Sequence, residues 1–284
     1  MADTPTDTPK KSLFEKLGAG LPVGLTALAT VLAGLSTGEL SRAMYWRSTA
    51  AQDQSKANDQ WSLASHKRDR ALMCETTADT LKAVGGNQAV DGPAKTPTPE
   101  FVQQVGGWMI GTVAPPVDDP GVRAVLWAIQ TGHEADAVAL ARGVDRDALE
   151  ADIKAGQSKV AEVEKAYDAE LGAAKGQVGA SPAQTRTAAS AVRYEVDSRR
   201  YKAEATANQW VGFLYEVRVK TSTAQSERHR QRSENFFFAM LAAQVGGVGS
   251  SLALARQRRS VLWLVAGVAG LAAIGFGAFV YLTM

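Results

Sequence analysis

Residues 235–284 read NFFFAMLAAQVGGVGSSLALA, then RQRR, then SVLWLVAGVAGLAAIGFGAFVYLTM. Each apolar run extends for roughly 21 to 25 residues without a charged side chain, and a helix needs about 20 such residues to cross the hydrocarbon core of a bilayer. The turn Arg256-Gln257-Arg258-Arg259 is short and basic, which suits a chain reversal at a membrane surface. Residues 235–255 and 260–284 are therefore predicted to form a transmembrane helical hairpin. A third run of the same kind, 17–38, follows a polar tail, 1–16, that carries Lys10, Lys11 and Lys16. It is longer than the core of a cleavable signal and no clear A-x-A site precedes Glu39, so it reads as an uncleaved anchor.

Small residues recur along these runs. Gly20 with Gly24 and Gly34 with Gly38 have G-x-x-x-G spacing, and Ala242, Gly246 and Ser250 follow one another at four-residue steps. Small side chains on one helix face let another helix approach closely, so these positions are candidates for helix packing and for self-association. Phe236, Phe237 and Phe238 supply aromatic bulk of the kind found at the membrane–water interface. Gln244, Ser250 and Ser251 are the notable polar group of the hairpin and suit helix-to-helix hydrogen bonding.

Orientation follows from positive charge in short loops. Lys10, Lys11 and Lys16 share a side with Arg256, Arg258 and Arg259 if all three segments span, and that side is expected to be cytoplasmic. Arg42, Arg47, Arg228, Arg230 and Arg232 flank the opposite ends and pull the other way. On this reading the protein is a multi-pass membrane component, with the region between the spans extracytoplasmic.

The average composition, 45% hydrophobic and 21% charged, conceals this segregation. A net charge of +2 is too small to point to nucleic acid, and the arginine-rich stretches sit beside apolar runs where basic residues are expected anyway. The single cysteine, Cys74, has no partner for an intramolecular disulfide.

Between the spans, Leu40 to Val84 contains neither proline nor glycine, and alanine occupies 43, 50, 57, 64, 71 and 78, a seven-residue period. That is a coiled-coil seam lined by small residues, and it predicts an outgoing stalk helix over 39–84. Gly85-Gly86 ends it and most of the prolines follow, so the stretch to about Pro120 is expected to be irregular, while Gly121 to about Gly143 has helix-like apolar spacing and is expected to form one or two short helices, the two together making a tip over 85–144. The return, 145–234, shows three/four alternation through Ile153, Val160, Val163 and Tyr167. A break is expected near 176–182, and Ser181-Pro182-Ala183-Gln184 carries both a capping box and a proline at the first helical position. Trp61 and Trp210 fall on the two seams at heights of roughly 33 and 39 Å from the membrane, so an antiparallel stalk is predicted to bring them together. The fold class is thus an all-α membrane protein with one N-terminal span, a C-terminal helical hairpin and a long antiparallel coiled-coil-like stalk.

No catalytic, cofactor-binding or metal-binding set is legible. His66, His133 and His229 lack partners at zinc-ligand spacing, and His133-Glu134 is followed by Ala137 where a second histidine would be needed. No phosphate-binding glycine loop ending in Lys-Ser or Lys-Thr occurs. Glu162 and Glu164 read as a solvated helix face.

Ala57-Asn58-Asp59-Gln60-Trp61 beyond an N-terminal span, and Glu234-Asn235-Phe236 leading into a span, an arginine-rich turn and a final span, resemble a bacterial family. It is the membrane-protein family of the domain of unknown function four-three-three-seven. The likeness covers the first span, the helix to about Arg70 and the last fifty or so residues. It implies a bacterial membrane setting and carries over no activity, cofactor or site residue. The expected role is a membrane-anchored helical scaffold or interaction protein that self-associates, with the lipid bilayer and a protein partner at the stalk or tip. The alternative is a subunit of an oligomeric channel or transporter, against which stands the lack of Asp, Glu, Lys, Arg and His in the spans.

Overall fold

The computed structural model describes residues 13–85, 90–255 and 261–283, with side chains described from residue 20 onward. Lys10, Lys11, Gly86, Arg256, Arg258 and Arg259, and the side chain of Lys16, lie outside the described residues. The described chain forms helices α1 (Leu13–Gly85), α2 (Glu100–Met109), α3 (Pro120–Gln130), α4 (Glu134–Ala141), α5 (Arg146–Ala180), α6 (Arg186–Ala255) and α7 (Val261–Thr283), with no strand among the described residues. Three of these, α1, α6 and α7, are long and apolar enough to cross a membrane. Two compact units result, one made by residues up to Trp46 and from Gln225 onward, the other by Arg47–Ala224.

In the first unit, leucine knobs enter gaps left by glycine. A Cβ at Gly246 would fall 3.0 Å from Leu25 Cδ1 and 3.2 Å from the Ala266 carbonyl, and one at Gly270 would fall 3.0 Å from Leu25 Cδ2. Leu25 of α1 is therefore seated between Gly246 of α6 and Gly270 of α7. Leu32 repeats the device at Gly277, again 3.0 Å from where a Cβ would be. Ala29, Phe236, Ala239, Ala243 and Ala273 complete this core. Small residues and close backbones are what helix association in lipid rewards, since lipid offers no hydrophobic driving force between helices. Pro22 sits inside α1, and the Thr26 hydroxyl donates to its carbonyl at 2.8 Å.

The polar contacts of this unit gather farther along. Ser36 donates to the Ser233 carbonyl at 2.9 Å and Ser233 to the Ser36 carbonyl at 2.8 Å. Glu39, 6% exposed, is met by His229 at 2.6 Å, Arg42 at 3.1 Å and Arg232 at 3.5 Å. A carboxylate removed from water needs such partners, because an unpaired buried charge is strongly destabilising.

In the second unit every alanine of the seven-residue series on α1, 50 through 78, is at most 9% exposed, as is Ala43 in the first unit. Between them sit residues that meet α6: Trp61 donates to Glu216 at 2.7 Å, Lys67 pairs with Glu204, Lys202 donates to Glu75 at 2.7 Å, and Lys82 pairs with Glu195. Asp53, 1% exposed, lies 3.1 Å from Arg218 Nε and 3.6 Å from Lys56 Nζ. The aromatic centre is Trp108 of α2, fully buried, with its ring edge-on to Trp210 (5.2 Å between centroids) and to Phe213 (5.0 Å). Gly156 of α5 admits Val211, Leu214 and Trp210 of α6, and Gly212 receives the Trp61 indole 3.3 Å from where a Cβ would be.

Three sequence expectations change. The stretch read as irregular contains α2, whose Val102, Val105 and Trp108, spaced by three, are buried against α5 and α6. The break expected near 176–182 falls at its far end, between Ala180 and Arg186, because α5 runs through Gly176 and Gly179 to Ala180. The Ser181 hydroxyl donates backward to the Gln177 carbonyl at 2.7 Å, so it closes α5 and does not cap the next helix, which begins at Arg186 after a turn on the Pro182 carbonyl.

Candidate functional site

The residues singled out from sequence divide by what they touch. Gly246 and Ser250 are buried and Ala242 half-buried inside the first unit. Leucine at Gly246 would therefore wedge α1, α6 and α7 of one chain apart, and it cannot serve as a probe of association between chains. Gly20, Gly24, Gly34 and Gly38 are exposed, with nothing among the described residues within 4 Å of a Cβ at any of them. At 3.6 residues per turn the four fall within about 80° of one helix face, away from the face that carries Leu25 and Leu32.

Trp61 and Trp210 join the same aromatic group through intermediaries. Trp61 sets its ring edge on Phe213, 4.9 Å away at 81°, while Trp210 meets Trp108 and, at 6.5 Å, Phe101. The indole of Trp61 thus finds its aromatic partner one helical turn beyond Trp210. Burial pushes the Glu216 carboxyl above the usual carboxylate range, and the Trp61 N–H and Lys220 act in the opposite sense.

A groove of about 810 Å³ opens in the second unit between the segment after α2, α3 and α4. Two turns that need positive φ shape it: Gly111 (φ 78°) after α2 and Gly132 (φ 77°) between α3 and α4. Positive φ is strained for a side-chain-bearing residue, so glycine fits there. Asp119 caps α3 by accepting from Val122 N at 2.7 Å, with Pro120 at the first helical position. The walls are Val113, Ala124, Trp127 and Leu140, and three of them are large apolar side chains left nearly half exposed: Val113 47%, Trp127 45% and Leu140 45%. Ile110, beside the Gly111 turn, is 78% exposed.

The rim holds Arg123, His133 and Asp136. Arg123 is braced by donation to the Val117 carbonyl at 2.9 Å. Thr131 gives its hydroxyl proton to the Trp127 carbonyl at 2.8 Å, so His133 Nδ1, 2.8 Å from that hydroxyl oxygen, is the donor to it. That arrangement orients a ring and leaves no activated nucleophile. A concave apolar surface with a few convergent polar groups is suited to binding. The sequence signal for it was weak: two glycines at turns, and aromatic and aliphatic residues that short helices of a cap would carry in any case.

Comparison with protein-family models, curated proteins and solved structures finds no match to this chain. The fold itself defines the class, an all-helical chain with three helices long and apolar enough to span a membrane.

Proposed function

We propose that this chain is a membrane-anchored helical scaffold or interaction protein of a bacterial inner membrane that associates with copies of itself. The observation that carries the reading is the groove walled by half-exposed Val113, Trp127 and Leu140, in a helical unit whose chain enters apolar helices at both of its ends. Monomeric soluble domains seldom leave such side chains grouped on a concave surface without a partner. The pairs Trp61 with Glu216, Lys67 with Glu204, Glu75 with Lys202 and Lys82 with Glu195 support reading the long helices as an antiparallel, coiled-coil-like stalk, because partners rise in number on α1 as they fall on α6. The basic turn at Arg256, Arg258 and Arg259, with Lys10, Lys11 and Lys16, favours an extracytoplasmic placement of this unit. The resemblance to the domain of unknown function four-three-three-seven is in keeping with a bacterial membrane setting.

Crosslinking of the full-length protein in native membranes tests the role. The expected result is a ladder of self-adducts, together with a heterologous adduct captured by a photoreactive residue at Trp127 and lost on substituting Leu140→Ser. A chain that yields neither adduct under conditions that crosslink other membrane proteins would defeat the reading.

A further inference from the structure

A second concave surface lies within the first unit, between α1 and α6, with a volume of about 600 Å³. Ala29, Ala33 and Gly247 form its floor, and Thr26, Thr30 and Ser251 line it. Each of those hydroxyls gives its proton to its own helix: Thr26 to the Pro22 carbonyl, Thr30 to the Thr26 carbonyl and Ser251 to the Gly247 carbonyl, at 2.8, 3.0 and 2.9 Å. Their oxygens keep acceptor capacity toward the groove. At its edge stands Gln244, exposed, whose amide has no hydrogen-bond partner among the described residues.

The depth of Gln244 makes this informative. It lies about nine residues, roughly 14 Å of helix, past Asn235, where the apolar run begins, and so close to the middle of a hydrocarbon core about 30 Å thick. Water and headgroups do not reach that level, and an unsatisfied amide there is costly. A lipid acyl chain would fill the groove but has no donor or acceptor to offer. An amide is self-complementary, since its NH₂ donates and its carbonyl accepts. A second copy of this chain brings the same group at the same depth.

We propose that this groove is the interface between two copies of the chain, with Gln244 of each copy hydrogen-bonded across it to the partner copy's amide or groove hydroxyls. The proposal rests on the self-association proposed above and names its surface. It places the contact on the Thr26, Thr30 and Gln244 face, and it leaves the α7 face, where Leu271 is 74% exposed, toward lipid.

Single cysteines at Gln244, Gly34 and Leu271, each introduced into full-length protein carrying Cys74→Ala, would be oxidised in native membranes and scored for disulfide-linked dimer. Gln244→Cys should crosslink efficiently and Leu271→Cys should not. In parallel, Gln244→Leu should weaken dimerisation in bilayers about threefold or more, as measured by energy transfer between labelled copies. Crosslinking through Gly34→Cys or Leu271→Cys without Gln244→Cys would overturn the proposed surface while leaving self-association standing. No crosslink at any of the three, with a monomer in bilayers, would overturn both. A Gln244→Leu protein that dimerises as well as the parent would assign the groove to an acyl chain and sink the proposal.

Discussion

Trp108→Ala should lower the stability of the Arg47–Ala224 unit by about 3 to 5 kcal/mol, the range for removing a fully buried tryptophan. Trp108 is 0% exposed and its ring meets the edges or faces of two others, Trp210 and Phe213, so its loss opens a cavity bounded by α2 and α6. Neighbouring α3 residues in the same core, Val122, Val125 and Leu126, are themselves fully buried and have little freedom to collapse into the space. Chemical denaturation of the detergent-solubilised protein, followed by the near-ultraviolet signal of its tryptophans, provides the measurement. A loss below about 1 kcal/mol, the size of a typical surface or mildly buried change, would mean that Trp108 is not at the centre of the core. The same assay resolves the tryptophan pairing. Trp61→Ala with Phe213→Ala should show a coupling of about 0.5 to 1.5 kcal/mol, and Trp61→Ala with Trp210→Ala a smaller one.

Arg199→Met should cost about 3 kcal/mol, at the lower end for breaking a buried ion pair because the arginine itself is 33% exposed. Its partner Glu170 has a side chain only 1% exposed, and it also accepts from Thr96 N at 3.0 Å. Glu170 therefore fastens the segment before α2 to α5 and α6 together. Deleting the guanidinium leaves a carboxylate in a dry site with one backbone donor. Adding Glu170→Met to Arg199→Met should restore most of the loss, because removing both charges removes the uncompensated burial. A double variant as unstable as the single one would show that packing of the arginine stem, and not the charge, was responsible.

How much of this could be read from the chain depends on whether the physical cause is local. The alanine series on α1 was legible because a seven-residue period of small side chains has one geometric meaning, close approach of another helix, and those alanines are buried. The apolar runs were legible because length and absence of charge suffice for a span. The buried carboxylates were not. Glu39, Asp53, Glu170 and Glu204 look like the solvated faces of their helices until His229, Arg218, Arg199 and Lys67 meet them from far along the chain.

The same limit applies to the tryptophans. Trp210 and Phe213 lie one turn apart on α6, and only the packed register assigns Trp61 to the second of them. Glycine spacing is similarly ambiguous: Gly246 seats Leu25, whereas a Cβ at Gly20, Gly24, Gly34 or Gly38 would have nothing within 4 Å among the described residues. Helix α2 went unseen because the prolines around it outweigh the apolar spacing of ten residues that include two glycines. The tip groove arises from the mutual placement of three short segments, for which no periodicity exists.

The proposed topology is the point to test, because three membrane crossings would leave residues 183 and 257 on opposite sides of the bilayer. Two single-cysteine proteins, Ala183→Cys and Gln257→Cys, are made in a Cys74→Ala background. Ala183 is exposed, and Cys74, a half-buried free thiol, is removed so that each protein carries a single cysteine. Each is treated with a membrane-impermeant thiol reagent in intact spheroplasts and again after lysis. The account predicts that Ala183→Cys is labelled before lysis and Gln257→Cys only after it. Labelling of both before lysis, or of Gln257→Cys alone, would contradict it, the first by removing α6 as a span and the second by reversing the orientation.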